Sequence, residues 1–333
     1  MLRVVFAGSP DCAVPALEAV AAAHTVVAVL SNPPAPSGRS REPQPTPVAQ
    51  AAERLKKEGL IAPEVPVITP EKITDEIRDQ LAAVKPDAMA CFAYGKIFGP
   101  KTLALFPRGA VNLHPSLLPR WRGCAPVPAA ILAGDRETGI SIQKMVREMD
   151  AGDILAQKHY IIDPTETAGE LLDRLSREGA PMLVDVLDRL EAGTASGIPQ
   201  NHDEASYCGM LHKHDGEIDW SRPAQEIANR IRAFHPWPGA FTHTGDRILL
   251  IHKAHPFTGT TEAGHQPGTV LGIDKKEGIL VQTGNGVLAL EALQWHAKKP
   301  LDWKSFMNGS RNFTGTVLGT VGESKKKTTV RNQ

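Results

Sequence analysis

Two polar side chains two positions apart, at the end of a predicted strand, are the first residues of this sequence that could do chemistry. On an extended chain Asn112 and His114 point to the same face, whereas the apolar Leu113 points to the other. An amide donor and an imidazole that converge on one spot can hold a carbonyl oxygen and stabilise the negative charge it gains when attacked. A local turn cap explains such a pair equally well, so the pair alone leaves both interpretations open.

A third candidate, Asp150, lies in an Asp- and Gly-rich segment, 149–154, between two predicted strands. Tight turns favour Asp and Gly for their backbone geometry alone, so a purely structural explanation is at least as good. Asp150 gains a chemical role only if the fold returns it to His114.

The elements that must position these residues indicate an α/β fold. Short β-branched runs alternate with amphipathic segments over about the first 160 residues, which is typical of a parallel sheet with crossover helices. The first strand ends in Gly-Ser-Pro rather than Gly-x-Gly-x-x-Gly, so an NAD enzyme is disfavoured. The predicted strands are 3–7, 25–31, 88–92, 110–113, 139–144 and 154–161. The predicted helices are 13–22, 47–57, 70–83, 126–132 and one or two within 167–190.

The second half of the chain follows a different pattern. Between 194 and 217 the periodicity disappears, as in an exposed linker. After a predicted helix at 224–234, glycine-punctuated strands at 248–253, 268–273, 278–282 and 287–293 indicate a small antiparallel barrel or sandwich. We therefore expect a catalytic domain at 1–194, a linker at 195–217, a barrel domain at 218–318 and a disordered tail at 319–333.

Composition excludes several classes of protein. Of 333 residues 41% are hydrophobic and 22% charged, and no apolar run approaches the ~20 residues that span a bilayer, so no membrane role is expected. The N-terminus lacks the features of a signal peptide, which predicts a cytoplasmic protein. Four well-separated cysteines predict neither a disulfide framework nor a thiolate zinc site. A formal net charge of zero argues neither for nor against a nucleic-acid partner, and a monomer is expected.

Three ordered motifs link the chemical candidates to a known family. Asn112-x-His114 is followed by Ser116-Leu117-Leu118-Pro119 with Arg122-Gly123, and then by Met149-Asp150-Ala151-Gly152-Asp153. In this order and at these spacings they resemble the folate-dependent formyltransferases, over about residues 2–315. The resemblance implies a Rossmann-like catalytic domain with a parallel-rich sheet, followed by a small OB-like β-barrel domain.

The resemblance also implies a co-substrate and site residues. The co-substrate is 10-formyltetrahydrofolate, a reduced folate, and no metal is expected. The residues at the catalytic motif positions are Asn112, His114 and Asp150. The expected folate-binding residues are Ser116, Leu117, Leu118, Pro119, Phe92, Ala93, Tyr94 and Gly95.

Further segments resemble those family members that formylate the methionine carried by initiator tRNA. These segments are 6–11, 93–95, 119–126, 218–221 and 232–238. The implied partner is methionyl-initiator tRNA, and the implied product is N-formylmethionyl-tRNA for translation initiation. Three residues are expected to contact this tRNA, namely Arg39, Arg41 and Lys213. The loop at 32–47 departs from the family pattern, with Pro34-Ala35 in place of an Asp-Arg pair and Ser40-Arg41-Glu42 in place of lysines, which leaves its tRNA contacts open.

The implied mechanism assigns a role to each catalytic residue. Attack of the methionyl amine on the formyl carbon gives a tetrahedral species with a negative oxygen, which Asn112 and a protonated His114 are expected to hold. A carboxylic acid of ordinary pKa, about 3.9, is a poor base at pH 7. Asp150 is therefore expected mainly to keep His114 charged and oriented, and to relay the amine proton through water.

Other readings stay open on the sequence. Formyltransferases or hydrolases that act on a small-molecule amine or on water share the same three motifs, so the catalytic residues do not separate them. A non-catalytic RNA-binding module is disfavoured because aromatic residues make up only 5% of the chain. A metal site at Cys208, His212 and His214 is disfavoured because the spacing fits no usual zinc pattern.

Overall fold

The structure is a computed structural model that describes residues 1–36, 42–260, 264–310 and 312–321. The described chain divides into two compact units. The N-terminal unit comprises Met1–Pro126, Glu137–Ile161 and Leu171–Gly209, and the C-terminal unit comprises Val127–Arg136, Ile162–Glu170 and the described residues from Met210 onward. Residues 195–209 of the predicted linker thus belong to the N-terminal unit.

A seven-stranded sheet of order β10-β9-β7-β6-β1-β2-β5 is found among the described residues of the N-terminal unit. Neighbouring strands from β5 to β7 in this order pair in parallel, whereas β9 pairs antiparallel with β7, and β10 with β9. The predicted parallel-rich sheet is confirmed. The short connection between β9 and β10 permits only an antiparallel pair, because a parallel pair needs a long crossover. The strands of this unit are β1 (Arg3–Gly8), β2 (Thr25–Leu30), β3 (Ala35–Pro36), β4 (Pro43–Gln44), β5 (Val67–Ile68), β6 (Ala88–Phe92), β7 (Ala110–His114), β8 (Arg122–Gly123), β9 (Glu137–Lys144), β10 (Ile154–Ile161) and β11 (Tyr207–Cys208).

Burial explains why the central strands read as continuous apolar runs. Val4, Val5, Phe6 and Ala7 of β1 expose no surface, as expected of a strand whose sheet is covered on both faces. The first six helices along the chain are α1 (Val14–Ala23), α2 (Pro47–Lys57), α3 (Asp75–Ala83), α4 (Pro100–Leu103), α5 (Pro126–Leu132) and α6 (Ala168–Ala192). Over the described residues, none of the helices combines the length and the apolar character needed to cross a membrane.

Capping residues determine where two helices begin, which the pattern of apolar residues predicted less accurately. Helix α3 begins at Asp75 rather than at residue 70, because the Thr74 hydroxyl accepts a hydrogen bond from the Ile77 N–H at 3.4 Å. Helix α6 is a single helix. It begins after Thr167, whose N–H donates to Glu170 Oε2 at 2.9 Å while the Glu170 N–H donates to Thr167 Oγ1 at 3.3 Å.

An antiparallel sheet forms most of the C-terminal unit, as predicted. Its order is β14-β15-β16-β13-β12-β18, with β17 paired to β16 and only the β12–β18 pair parallel among the described strands. The tail predicted at 319–333 is described only as far as β18. The remaining elements are α7 (Ala224–Ala233), β12 (Ala240–Gly245), β13 (Arg247–Phe257), β14 (Val270–Asp274), β15 (Gly278–Gln282), β16 (Val287–Trp295), β17 (Leu301–Asp302), α8 (Trp303–Asn308) and β18 (Thr320–Val321).

Hydrogen bonds between the two ends of this sheet curl it toward a barrel. The Val270 N–H donates to the Thr316 carbonyl, and the Leu318 N–H donates to the Gly268 carbonyl, each at 2.8 Å. The interior is apolar and includes Leu249 and Leu288, both fully buried. These contacts bring the two ends of the sheet together around that interior.

Candidate active site

Strand β7 places Asn112 and His114 on one face, at its carboxyl end. Asn112 pairs with Gln143 of β9, and His114 pairs with Ser141 of the same strand. Leu113 points to the other face and is 1% exposed. Helix α6 covers that face at Gly179, where a Cβ would lie 2.7 Å from Leu113 Cδ1. The apolar residue thus anchors the strand while its polar neighbours face the site.

The His114 ring is held from two sides. Its Nε2 donates to the backbone carbonyl of Trp121 at 2.8 Å, and its Nδ1 lies 3.6 Å from Asp150 Oδ2. The side chains of both partners of the pair are largely buried, at 5% and 13% exposure. A carbonyl oxygen only accepts, so Nε2 carries a proton and Nδ1 is the ring atom that remains for substrate.

The carboxylate of Asp150 accepts two hydrogen bonds that fix it. The Gly123 N–H donates to Oδ2 at 2.8 Å, and Gln143 Nε2 donates to Oδ1 at 2.7 Å. Together the two hydrogen bonds hold both carboxylate oxygens in place. Asp150 itself has φ 53°, a left-handed conformation that is uncommon for a side chain with a Cβ. The fold therefore brings the predicted turn residue back to His114.

The Asn112 amide is partly buried and, within the described part of the chain, makes no hydrogen bond. Gln143 Oε1, on the strand opposite, is also buried without a hydrogen-bond partner among the described residues. Unsatisfied buried polar atoms are rare in folded proteins and mark places where a ligand or water binds. The site thus offers one free amide donor and one free amide acceptor side by side on paired strands.

Sequence reasoning missed Gln143 and Ser141. They lie on β9, opposite Asn112 and His114 of β7, and are fully or almost fully buried. Alternation of polar Ser141 and Gln143 with Ile140 and Ile142 is the signal that could have found them, because it implies one apolar and one polar face.

The predicted folate segment after β7 is a rigid loop. Ser141 Oγ donates to the Ser116 carbonyl at 2.7 Å and accepts from the Leu118 N–H at 3.2 Å. The Ser116 hydroxyl donates to the Arg120 carbonyl at 2.6 Å. Ser116 is fully buried and Leu118 is 3% exposed, whereas Leu117 and Pro119 are partly exposed. Leu117 and Pro119 therefore present the accessible surface of this segment.

The other predicted folate segment, 92–95, follows β6 at the same edge of the sheet. Phe92 and Tyr94 are buried, whereas Ala93 and Gly95 are exposed and have φ 52° and 79°. The Tyr94 hydroxyl has no partner among the described residues, and burial, together with the charge of the Cys91 thiolate, raises the pKa of Tyr94. The Asn32 amide donates to the Tyr94 carbonyl at 3.2 Å, which ties this loop to the end of β2.

The residues predicted to contact tRNA are less well defined. Arg39 and Arg41 lie outside the described residues, between β3 and β4, which pair antiparallel on either side of them. Lys213 is exposed and begins a short 3₁₀ turn in the C-terminal unit, whereas Asn112, His114 and Asp150 all belong to the N-terminal unit.

Among the described residues, one group has the spacing to hold a metal ion, namely His24, Asp188 and Glu191. Glu191 already contacts the ammonium group of Met1. The thiol of Cys208, considered as a ligand in the sequence, instead donates to the Arg122 carbonyl at 3.3 Å.

Comparison with known protein families matches both units. Residues 2–187 match the family described as formyl transferase, and residues 210–311 match the family described as formyl transferase, C-terminal domain. The first match includes β7 and β9, which carry the site, and the second includes strands β12 to β17 of the antiparallel sheet.

Named relatives match over nearly their whole length. A methionyl-tRNA formyltransferase of Treponema denticola is 50% identical over 315 residues, which cover 94% of this chain and 98% of that protein. A methionyl-tRNA formyltransferase of Symbiobacterium thermophilum is 40% identical over 322 residues, or 96% of this chain and 95% of that protein.

Among solved structures, the chain resembles an N-formyltransferase of Helicobacter canadensis in complex with folinic acid and dTDP-3-aminofucose. The TM-score is 0.62 at 18% identity, and the match covers 87% of this chain and 99% of that one. At this identity the likeness shows the shared fold alone.

Proposed function

Because this chain belongs to the formyl transferase family over both of that family's domains, we propose that it transfers the formyl group of 10-formyltetrahydrofolate to the α-amino group of methionyl-initiator tRNA. The reaction is supported by the site at the end of β7, where Asn112, His114 and Asp150 converge. The acceptor is supported by sequence identities of 50% and 40% to two methionyl-tRNA formyltransferases.

Formyl transfer needs a group that holds developing negative charge. When the amine nitrogen bonds to the formyl carbon, the carbonyl electrons move to oxygen and give a tetrahedral intermediate. The electrons then return, the bond between the carbon and the folate nitrogen breaks, and the proton from the amine passes to that nitrogen or to solvent. Donors aimed at the oxygen lower the barrier because they act where charge develops.

Asn112 supplies the first donor. Its amide is free in the described structure and lies on the strand face that His114 shares. An N–H group that has no protein partner breaks no protein hydrogen bond when it binds the oxyanion. We assign Asn112 to the oxyanion for this reason.

His114 supplies the second donor through Nδ1. Because Nε2 is committed to the Trp121 carbonyl, only a ring protonated at both nitrogens can donate toward substrate. Asp150 Oδ2 lies 3.6 Å from Nδ1, which is too far for a good hydrogen bond. The position of the carboxylate beside the ring supports the proposal that Asp150 orients His114.

The attacking amine finds an acceptor in Gln143 Oε1. This oxygen is buried and free, and its own amide nitrogen is held by Asp150. An amide oxygen accepts from an amine N–H without taking its proton, so Gln143 orients the nucleophile while water and Asp150 relay the proton. Three proposed tRNA contacts complete the proposal, namely Arg39 and Arg41 in the loop and Lys213 in the C-terminal unit.

Acceptor choice decides between this function and its nearest alternative. Purified protein is incubated with 10-formyltetrahydrofolate and methionyl-initiator tRNA, and in parallel with glycinamide ribonucleotide, an amino-sugar nucleotide, or no amine. We expect formylmethionyl-tRNA as the dominant product. Formylation of a small amine, or hydrolysis of the folate, without formylmethionyl-tRNA would refute the assigned acceptor and leave the formyl-transfer chemistry standing.

A further inference from the structure

Arg122 is a buried cation without a carboxylate partner among the described residues. It is 1% exposed and is the largest fully buried side chain there. Burying a charge without an opposite charge beside it costs folding free energy. A buried arginine of this kind is therefore expected to have a role for its hydrogen bonds. The arginine lies three residues after Pro119, the last residue of the predicted folate segment.

The arginine is held by the segment that follows helix α6. Arg122 Nε and Nη2 both donate to Gln200 Oε1, at 3.1 and 2.7 Å. Its Nη1 lies 3.3 Å from His202 Nδ1 and from the Tyr207 hydroxyl. This two-pronged contact fixes the orientation of the Gln200 amide, so that its nitrogen must point the opposite way.

That nitrogen points at the Asp150 turn. Gln200 Nε2 donates to the Asp150 carbonyl at 2.9 Å and to the Gly152 carbonyl at 2.6 Å. Both N–H groups of the Gln200 amide thus donate to the backbone of the turn that carries the Asp150 carboxylate. The same stretch is reinforced by a mutual pair of backbone hydrogen bonds between Ile154 and Ile198, each 2.9 Å long.

The turn needs such support because its geometry is unfavourable and tightly packed. Asp150 adopts φ 53°, which residues with a Cβ rarely adopt. At Gly152 a Cβ would lie 1.8 Å from the Lys144 carbonyl. Small changes in this backbone move the Asp150 carboxylate relative to His114, over a separation of only 3.6 Å.

We propose that the buried Arg122–Gln200 pair is a positioning device that holds the Asp150 turn, and through it the carboxylate beside His114. The inference deepens the proposed function and rests on it, since it assigns Asp150 a part in formyl transfer. Neither Arg122 nor Gln200 acts on substrate in this account. Each acts through Asp150.

Gln200→Glu separates the contact with Arg122 from the contact with the Asp150 turn. A glutamate keeps the volume of the side chain and the oxygen that accepts from Arg122, but it loses the two N–H groups that hold the turn. We expect kcat to fall about 10- to 100-fold, as is typical when the supporting partner of a functional group is lost. The KM for 10-formyltetrahydrofolate stays within about twofold, because the folate segment is held by Ser141 instead.

A double-mutant cycle shows whether Gln200 acts through Asp150. The kcat of Gln200→Glu, Asp150→Ala and the double variant is measured with saturating substrates. If Gln200 acts only through Asp150, the double variant is no slower than Asp150→Ala alone. If Gln200→Glu does not fold, Arg122→Lys replaces it in the same cycle, because lysine keeps the charge but not the two-pronged contact.

Asn229→Ala provides the matched control. Asn229 is a buried amide of the C-terminal unit whose Oδ1 accepts from both Arg232 Nε and Nη2 at 3.2 Å, which repeats the chemistry of the Arg122–Gln200 contact. We expect it to lower the temperature of unfolding without the fall in kcat. The same loss of kcat in both variants would assign the effect to general destabilisation and overturn the inference.

The remaining outcomes distinguish the inference from the function on which it rests. The positioning role is overturned, and the proposed function left intact, by either of two results. In one, Asp150→Ala lowers kcat but Gln200→Glu does not. In the other, both substitutions lower kcat and their effects are fully additive in the double variant. A normal Asp150→Ala overturns the inference and removes Asp150 from the mechanism, because the carboxylate to be positioned then has no part in turnover. The function itself fails only if the wild-type protein forms no formylmethionyl-tRNA.

Discussion

His114 Nδ1 lies 3.6 Å from Asp150 Oδ2, while the opposite nitrogen of the same ring donates to the Trp121 carbonyl at 2.8 Å. A carbonyl oxygen only accepts, so this contact fixes a proton on Nε2. Nδ1, beside the carboxylate, is the ring nitrogen left for substrate. In the proposed mechanism Asp150 orients this ring.

Gln143→Met tests whether the free acceptor of the site orients the amine. Methionine preserves the volume of the side chain but removes Oε1 and the donor to Asp150 Oδ1. We expect kcat to fall by roughly tenfold or more. Thr138→Val is the matched control, because Thr138 is 3% exposed on the same strand and its hydroxyl is also without a described partner. Equal kinetics in the two variants would remove Gln143 from the mechanism.

Ser141→Ala tests whether the rigid segment Ser116–Pro119 binds folate, as predicted. The change removes the hydroxyl that binds the Ser116 carbonyl, the Leu118 N–H and Gln157 Nε2. We expect a loss of about 1–3 kcal/mol in the free energy of unfolding, because buried polar groups lose their partner. The KM for 10-formyltetrahydrofolate should rise while the KM for tRNA stays constant.

The control for Ser141→Ala is Ser176→Ala. Ser176 is 1% exposed, and its hydroxyl donates to the Leu172 carbonyl within helix α6, at 2.6 Å. Urea unfolding and steady-state kinetics are measured on both variants. An unchanged folate KM in Ser141→Ala, despite lower stability, would show that the loop does not line the folate site.

Much of the site could be predicted from local pattern. The two-residue spacing of Asn112 and His114 gave their shared face, because side chains alternate along a strand. Their position at the end of β7 followed from the apolar run before them. These are properties of neighbouring residues, and local sequence determines them.

The rest depends on contacts between distant residues. Asp150 reaches His114 only because β9 pairs antiparallel with β7 and the chain then turns back within nine residues, 145–153. The acceptor for His114 Nε2 is a backbone carbonyl, at Trp121 with φ 59°, and a carbonyl leaves no mark in sequence. Arg122 and Gln200 meet across 78 positions and share no motif spacing. Such partners become visible only in the folded chain.

Lys213→Ala tests the tRNA contact in the C-terminal unit. A lysine that contacts phosphate contributes affinity through released counterions, so its loss should raise the KM for tRNA and reduce the slope of log affinity against log salt by about 1. The kcat at saturating tRNA should not change. Lys57→Ala, an exposed lysine at the end of helix α2, is the control. A salt slope that both variants leave unchanged would argue against a phosphate contact at Lys213.

His255 predicts a pH dependence of stability in the C-terminal unit. Burial lowers the pKa of His255, but hydrogen bonds and charges from Glu291 and Glu277 outweigh burial and raise it. The ring contacts their carboxylates at 2.8 and 2.6 Å. Because the folded pKa exceeds the unfolded value of about 6.5, the stabilisation is fully present below that pH and is lost as the pH rises through the folded pKa.

His255→Gln measures this contribution. The free energy of unfolding of the variant should fall further below wild type at about pH 6 than at about pH 9. Urea unfolding at the two pH values gives the comparison. If the free energy of unfolding differs between variant and wild type by the same amount at both pH values, His255 is not charged in the folded state.

The single-turnover rate of Asn112→Ala tests most directly whether the free Asn112 amide holds the oxygen that becomes negative during formyl transfer. With enzyme in excess over methionyl-initiator tRNA and saturating 10-formyltetrahydrofolate, we expect a rate about 10²–10³ lower than wild type, at unchanged folate affinity and an unchanged unfolding temperature. The rates of His114→Ala and Asp150→Ala, measured in the same way, should also fall by orders of magnitude. A near-normal rate for folded Asn112→Ala would show that Asn112 does not hold this oxygen.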